Sequence, residues 1–165
     1  MKTIALTRGK VALIDDGDYG WATQWKWAAD KRVLKSGVVK YYAVRQIHRR
    51  RGKSSKVYLH RAILCLDNSQ NVDHRDSDGL NCQRHNLRIA TYAQNNANTQ
   101  VRAASRFKGV NRLNNRWRAR ITVDYREIYL GLFRTAEDAA RAYDAAARLY
   151  QGEFAQFNLP AEEQL

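Results

Sequence analysis

In the stretch Val72-Asp73-His74-Arg75-Asp76-Ser77-Asp78-Gly79, a carboxylate and an imidazole stand side by side. Asp73 is a hard oxygen donor suited to a divalent cation, and His74 is a base whose unperturbed pKa lies near neutral pH. Together they have the groups for metal-assisted attack of water on a phosphodiester. Asn86 and Asn95 follow at thirteen and twenty-two residues from Asp73.

The surrounding residues suggest how such a pair would be positioned. Asp76-Ser77-Asp78-Gly79 reads as a turn, because Asp and Ser bond their own backbone and Gly tolerates positive φ. Leu87 and Ile89 alternate with polar residues like a short strand. Thr91 is a good N-cap, so a helix is expected to start there, with Asn95 just past its first turn and pointing back toward the strand pair. This β-turn-β-helix order, over about residues 58 to 98, resembles the HNH (ββα-metal) endonuclease family, in the branch found in mobile, often phage-borne homing-type nucleases. The resemblance implies Asp73 and Asn95 as ligands of Mg²⁺ (or Mn²⁺), His74 as general base and Asn86 as the partner orienting its imidazole.

Charge bounds the partners. The 165 residues carry 29 Lys+Arg against 16 Asp+Glu, a net +13. So basic a chain calls for a polyanion, with nucleic acid before an acidic membrane surface. No run of eighteen apolar residues occurs and the first residues lack a signal-peptide core, so a soluble intracellular protein without a membrane is expected. Cys65 and Cys82 are the only cysteines, and in a reducing compartment they read as small core or surface residues. A zinc site from Cys82, His85, Cys65 and His60 lacks a second close-spaced pair and is not expected.

Residues 1–57 read as a β-rich lead-in. Ile4 and Leu6 alternate with polar neighbours, Val11-Ala12-Leu13-Ile14 is a short apolar run, and Asp15 to Asp18 ends it as a turn. Trp21, Trp25 and Trp27 are expected in the core, since a small unit needs bulky side chains to bury enough area. Tyr41 to Val44 reads as a strand feeding a basic loop. In that loop Arg49, Arg50, Arg51 and Lys53 read either as a solvated charged surface or as a hold on phosphates. Val57 onward starts as a strand and turns helical, and His60 reads either as a structural histidine, the favoured reading, or as a group near the active site.

Beyond a polar linker at 99–105 the pattern changes. Phe107 to Arg112 reads as a strand and Asn114-Asn115 as a hairpin turn. Arg116-Trp117-Arg118-Ala119-Arg120-Ile121-Thr122-Val123 is then a period-two strand whose faces are chemically opposite. Arg116, Arg118, Arg120 and Thr122 line one side, and Trp117, Ala119, Ile121 and Val123 the other. Arg126 to Phe133 supplies a third strand. Thr135 caps a helix with Glu137 and Asp138 in its first turn and Ala139, Ala142, Tyr143, Ala146, Ala147 and Tyr150 at helical spacing.

This segment strongly resembles the AP2/ERF DNA-binding domain over nearly all of 106–160. The matches are Phe107-Lys108-Gly109-Val110, Arg116 to Ile121, Tyr129 to Phe133, Thr135 to Ala146, and Gly152-Glu153-Phe154-Ala155 through Asn158-Leu159-Pro160. The resemblance implies a three-stranded sheet reading the major groove with a helix behind it. Lys108, Arg112 and Tyr129 would then join Arg116, Arg118, Arg120 and Thr122 at double-stranded DNA. Asn111, Leu113, Arg120, Glu127 and Tyr129 stand where the plant branch usually has Arg, Arg, Glu, Arg and Trp, so its sequence preference does not carry over.

Residues 1–104 hold 19 Lys+Arg and 8 Asp+Glu, net +11, against 10 and 8, net +2, for 105–165. The first part would grip phosphate and the second read bases. The expectation is an α+β protein with an HNH nuclease domain at 1–98, a linker at 99–105 and an AP2-like domain at 106–160. It would be a metal-dependent homing-type DNA endonuclease, nicking or double-strand cutting, with a monomer favoured over an oligomer, acting in the cytoplasm of a bacterial host if phage-borne. The alternative is a non-cleaving DNA-binding regulator with a vestigial nuclease motif.

Overall fold

The computed structural model describes residues 1–34, 37–48, 54–67, 69–99 and 106–160. The chain is α+β and divides into two units, Met1–Ala90 and Thr91–Leu165. The helix expected to complete the nuclease domain therefore falls within the second unit, and the linker residues 100–105 lie outside the described ones.

In the first unit, β1 (Lys2–Ala5) and β2 (Val11–Ile14) pair antiparallel, with Lys2 opposite Ile14. The acidic stretch expected as a turn instead opens a helix, α1 (Asp16–Ala22), where Asp16 and Asp18 sit in the first turn. Carboxylates are favoured there by the exposed N–H groups and the helix dipole. Three strands follow, β3 (Ala28–Val33), β4 (Val39–His48) and β5 (Ser54–Tyr58), hydrogen-bonded in the order β3-β4-β5. The strand-to-helix transition expected after Val57 occurs at α2 (Leu59–Ile63). Last comes a two-stranded ladder, β6 (Asn71–His74) with β7 (Leu87–Ala90), pairing Asp73 with Arg88 and His74 with Leu87.

The core of this unit gathers Ile14, Leu59, Ile63 and Cys82, all essentially without solvent contact, around Ala12, Ala43 and Trp27. Burying each large aliphatic side chain contributes about 1.5–3 kcal/mol. The tryptophans separate. Trp27 is buried and donates Nε1 to the Ala22 carbonyl at 2.8 Å. Trp25, expected inside, is 49% exposed, and the Arg45 guanidinium stacks 4.0 Å from its ring. Two backbone bonds tie β2 to the loop before β7. Leu13 N donates to Leu80 O and Cys82 N to Leu13 O, each at 2.9 Å.

The second unit opens with α3 (Tyr92–Ala97). Thr91 is its N-cap, accepting from Gln94 N while the Gln94 side chain accepts from Thr91 N, a complete capping box. Strands β8 (Val110–Leu113), β9 (Arg116–Val123) and β10 (Arg126–Phe133) form one antiparallel sheet in the order β10-β9-β8. Helix α4 (Ala136–Gln151) is capped by Thr135 Oγ1, which accepts from Asp138 N at 3.1 Å. Ala139, Ala140 and Ala147 have no exposed surface, and such short side chains let the helix lie close against the sheet, the first two against Ala119 and Val110 and Ala147 against Ile121. Tyr150 lies 48% exposed rather than in this face.

Gly109 shows how close the packing is. Its φ is +70°, and a Cβ there would stand 2.2 Å from the Tyr143 ring and 2.3 Å from the Arg120 carbonyl. Only glycine fits both the left-handed backbone and the space. The chain's end is held by Asp144, which accepts from Asn158 N at 2.8 Å and Leu159 N at 2.9 Å. Asn158 in turn accepts from Lys108 N at 2.5 Å and donates to Lys108 O at 3.1 Å.

Candidate nucleic-acid interface

Strand β9 carries the two chemistries on opposite faces. Ala119 and Ile121 are buried at 0% and 1%, with Trp117 and Val123 packed into the same clusters behind the sheet. Side chains alternate along a strand, so Arg116, Arg118, Arg120 and Thr122 are turned to the other face. The register extends that face across the sheet. Asn111 and Leu113 of β8 stand opposite Arg118 and Arg116, and Glu127 and Tyr129 of β10 opposite Thr122 and Arg120.

A bulge completes it. The β9–β10 register shifts between Tyr129 and Gly131, so Leu130 packs into the core and Leu132 comes to stand opposite Arg118. Gly131 takes φ +133° here, a conformation open to glycine. Simple alternation gives no signal for the shift, and Leu132 on the open face was not expected.

Two contacts orient the arginines. Arg118 Nε donates to Asn111 Oδ1 at 3.2 Å, leaving the outer edge of the guanidinium for a ligand. Arg120 Nη1 donates to Glu127 Oε2 at 2.6 Å, a half-exposed pair. Asn111 and Glu127 were noted in the sequence only as departures from the plant pattern. All five departures, Asn111, Leu113, Arg120, Glu127 and Tyr129, share this one face.

Two expected contact residues are placed differently. Arg112 pairs with Trp117 in the register, which puts it on the side of the sheet away from Arg118, and its Nε donates to the Asn114 carbonyl at 3.3 Å. Lys108 sits before β8, half-buried, and its ammonium donates to the carbonyls of Ala97 and Asn96 at the end of α3. Burial pushes its pKa down to about 8. The last-turn carbonyls of a helix lack intrahelical donors, so this lysine serves as a helix cap.

In the first unit, Asp73 is 3% exposed and Arg88 9%. Oδ2 of Asp73 accepts from Nε and Nη2 of Arg88, each at 2.7 Å. A guanidinium on the carboxylate does not favour Asp73 as a cation ligand, and Mg²⁺ (or Mn²⁺) at Asp73 and Asn95 remains only what the resemblance implies. His74 is buried at 7% exposure, and that burial pushes its pKa down to about 4 against the pull of Asp76, Asp73 and Asp78. Asn86 was expected to orient the imidazole. Its amide instead donates to Asp76 Oδ1 at 2.9 Å and to the Asn81 carbonyl at 2.8 Å, while its Oδ1 accepts from Asp76 N at 3.1 Å. It holds the 76–81 loop. Asn95 lies on α3 in the second unit. Arg49, Arg50, Arg51 and Lys53 lie outside the described residues.

Among the described residues no helix is long and apolar enough to cross a membrane. No family model matches the chain. Similar curated proteins are all of one kind. An AP2/ERF and B3 domain-containing protein of Oryza sativa subsp. japonica is 47% identical over 58 residues, 34% of this chain and 16% of the relative. An AP2/ERF and B3 domain-containing transcription factor of Arabidopsis thaliana is 48% identical over 44 residues, 26% of this chain and 12% of its own. An AP2-like ethylene-responsive transcription factor of Arabidopsis thaliana is 46% identical over 55 residues, 31% of this chain and 10% of its own. The chain spans 26% or less of the length of the curated relatives it matches. These relatives are named as transcription factors or by their AP2/ERF and B3 domains and none as a nuclease, which overturns the expectation of an endonuclease and of an enzyme. They are plant proteins and lend no support to a bacterial host. What the likeness supports is an AP2/ERF DNA-binding domain in this chain.

Proposed function

We propose that this protein is a non-cleaving, sequence-reading DNA-binding regulator whose reader is the open face of β8, β9 and β10. The observation that carries the reading is the alternation of β9. Its apolar residues pack against α4, and Arg116, Arg118 and Arg120 line the opposite face of the sheet. A sheet of this kind enters the major groove, where an arginine donates two hydrogen bonds to O6 and N7 of guanine. Arg118, with one nitrogen fixed by Asn111, is the best placed for that contact. The first unit, with most of the +11 of residues 1–104, adds the sequence-independent attraction to phosphate. Its Asp73–His74–Asn86 segment is the remnant of a ββα-metal scaffold. The Asp73–Arg88 ion pair and the commitment of Asn86 to the 76–81 loop support that reading.

The test is selection from a randomised duplex library with the full chain, followed by electrophoresis of the recovered DNA. An enriched site that flattens when Arg118 is replaced by Ala, with the duplex intact in Mg²⁺ or Mn²⁺, is the expected result. Recovery of unenriched sequence removes the reader, and strand breaks dependent on the metal remove the non-cleaving regulator.

A further inference from the structure

His60, His74 and Cys82 come from three separate elements and meet inside the first unit. One nitrogen or sulfur from each lies within 4.8 Å of the others, and all three residues are buried. His60 sits in the first turn of α2, His74 ends β6, and Cys82 is fixed by its backbone bond to Leu13 of β2. The two imidazoles meet edge to face with centroids 4.9 Å apart. The Tyr42 ring covers both, at 5.8 Å and 6.0 Å.

We infer that these three side chains form a site for a thiophilic late first-row dication, Zn²⁺ above all. The second observation is Nδ1 of His60, which is buried and has no hydrogen-bond partner in a residue only 7% exposed. Leaving a buried polar atom unsatisfied costs about 1–3 kcal/mol, and a metal bond removes that cost. Imidazole nitrogen and thiolate sulfur select zinc over Mg²⁺ or Ca²⁺, which demand oxygen. Tetrahedral Zn²⁺ with bonds of about 2.0–2.3 Å sets its donors roughly 3.3–3.8 Å apart, so side-chain rotations close the observed spacing. Three protein donors leave a fourth position to water.

The charge can be balanced locally. Burial pushes the Cys82 thiol up to about 12, with Asp78 and Asp76 adding to the rise, so without metal it holds its proton. As the Zn–S bond forms, that proton leaves to buffer. The same two carboxylates then face a site with one net positive charge, and their effect becomes attractive. Cys65 is exposed and is not a member of the cluster, nor is His85. Among the described residues this is the one such group of three.

This inference concerns the first unit and is read without DNA, so its failure leaves the sheet's role untouched. The metal-stripped full chain is titrated with Zn²⁺ against a chromophoric chelator, and separately with Co²⁺ in an anaerobic cell. Expected are one Zn²⁺ per chain and a thiolate-to-cobalt charge-transfer band. Cys82→Ser should remove the band and weaken Zn²⁺ by roughly a hundredfold, the share of one ligand in a site of this kind. Cys65→Ser should leave both unchanged. Absence of uptake by the folded wild-type chain overturns the site. So does a cobalt spectrum without the thiolate band, or a band lost with Cys65→Ser. Should Cys82→Ser fail to fold, the wild-type cobalt spectrum decides alone.

Discussion

Asp73 and Arg88 face each other across the β6–β7 register, with Nε and Nη2 of the guanidinium both donating to Oδ2 of the carboxylate at 2.7 Å. Both are buried, so neither charge has water to fall back on. Removing one partner from such a pair costs about 3–5 kcal/mol, while replacing both by apolar residues of similar size is often neutral. Arg88→Ala should therefore lower the stability of the first unit by an amount in that range, read from urea unfolding. Asp73→Leu combined with Arg88→Met should recover most of it. Equal stability of Arg88→Ala and wild type would show that the pair is not closed in solution.

The Arg120–Glu127 pair makes the opposite case. Its side chains are 41% and 50% exposed, and exposed pairs contribute about 0–1 kcal/mol. The exchange Arg120→Glu with Glu127→Arg keeps opposite charges at the same places. It should leave unfolding unchanged and alter the selected DNA site, because donor and acceptor exchange places on the reading face. An unchanged site profile would take this pair out of readout.

Trp117 and Arg118 are adjacent in sequence and should behave as opposites. Arg118→Ala is expected to keep the fold and lose about 1–3 kcal/mol of discrimination at one base position. Trp117→Ala opens a gap in the cluster with Val110, Ala119 and Ala140 and should destabilise the second unit, toward the lower end of ~3–5 kcal/mol because the ring is only partly buried. Unfolding by the arginine variant with retention by the tryptophan variant would mean that the sheet faces the other way.

Gly109→Ala combines positive φ with a clash against Tyr143 and the Arg120 carbonyl. Because one contact is backbone, relief requires the β8–β9 approach to widen. A loss of several kcal/mol is expected from the backbone strain and the close contacts it disrupts, seen as a fall in the second unit's melting temperature. A melting temperature within a degree of wild type would refute the close approach.

Acid should act on the first unit. Burial lowers His60 to about 3 and His74 to about 4 from an ordinary 6.5. The unfolded chain thus takes up protons more readily, so their contribution is fully present above pH 6.5 and is lost as pH falls toward 4 and then 3. Each histidine gives a slope of about 1.4 kcal/mol per pH unit inside that window. In chelator, the urea midpoint of the first unit should drop between pH 7 and pH 5. The second unit, whose sequence has no histidine, should hardly move. Parallel behaviour of the two would sink the assignment.

Much of the second unit was legible locally. The alternation from Arg116 to Val123 already separates the arginine face from the core face, because side chains on a strand repeat every two residues. Thr91 and Thr135 announce their helices because a cap bonds within three residues of itself. Other features depend on partners distant in sequence. The bulge at Gly131 re-phases β10 so that Leu132 reaches the open face, and only pairing with β9 fixes it. Arg112 reads like its neighbours until its register opposite Trp117 is known. Asp73 beside His74 looks like a hydrolytic pair until Arg88, fifteen residues away, closes on the carboxylate. His60, His74 and Cys82 have no motif spacing at all, and α2, β6 and the Leu13–Cys82 bond bring them together. Local periodicity and capping are written in consecutive residues, whereas a buried ion pair or a ligand cluster exists only once separate strands have chosen their register.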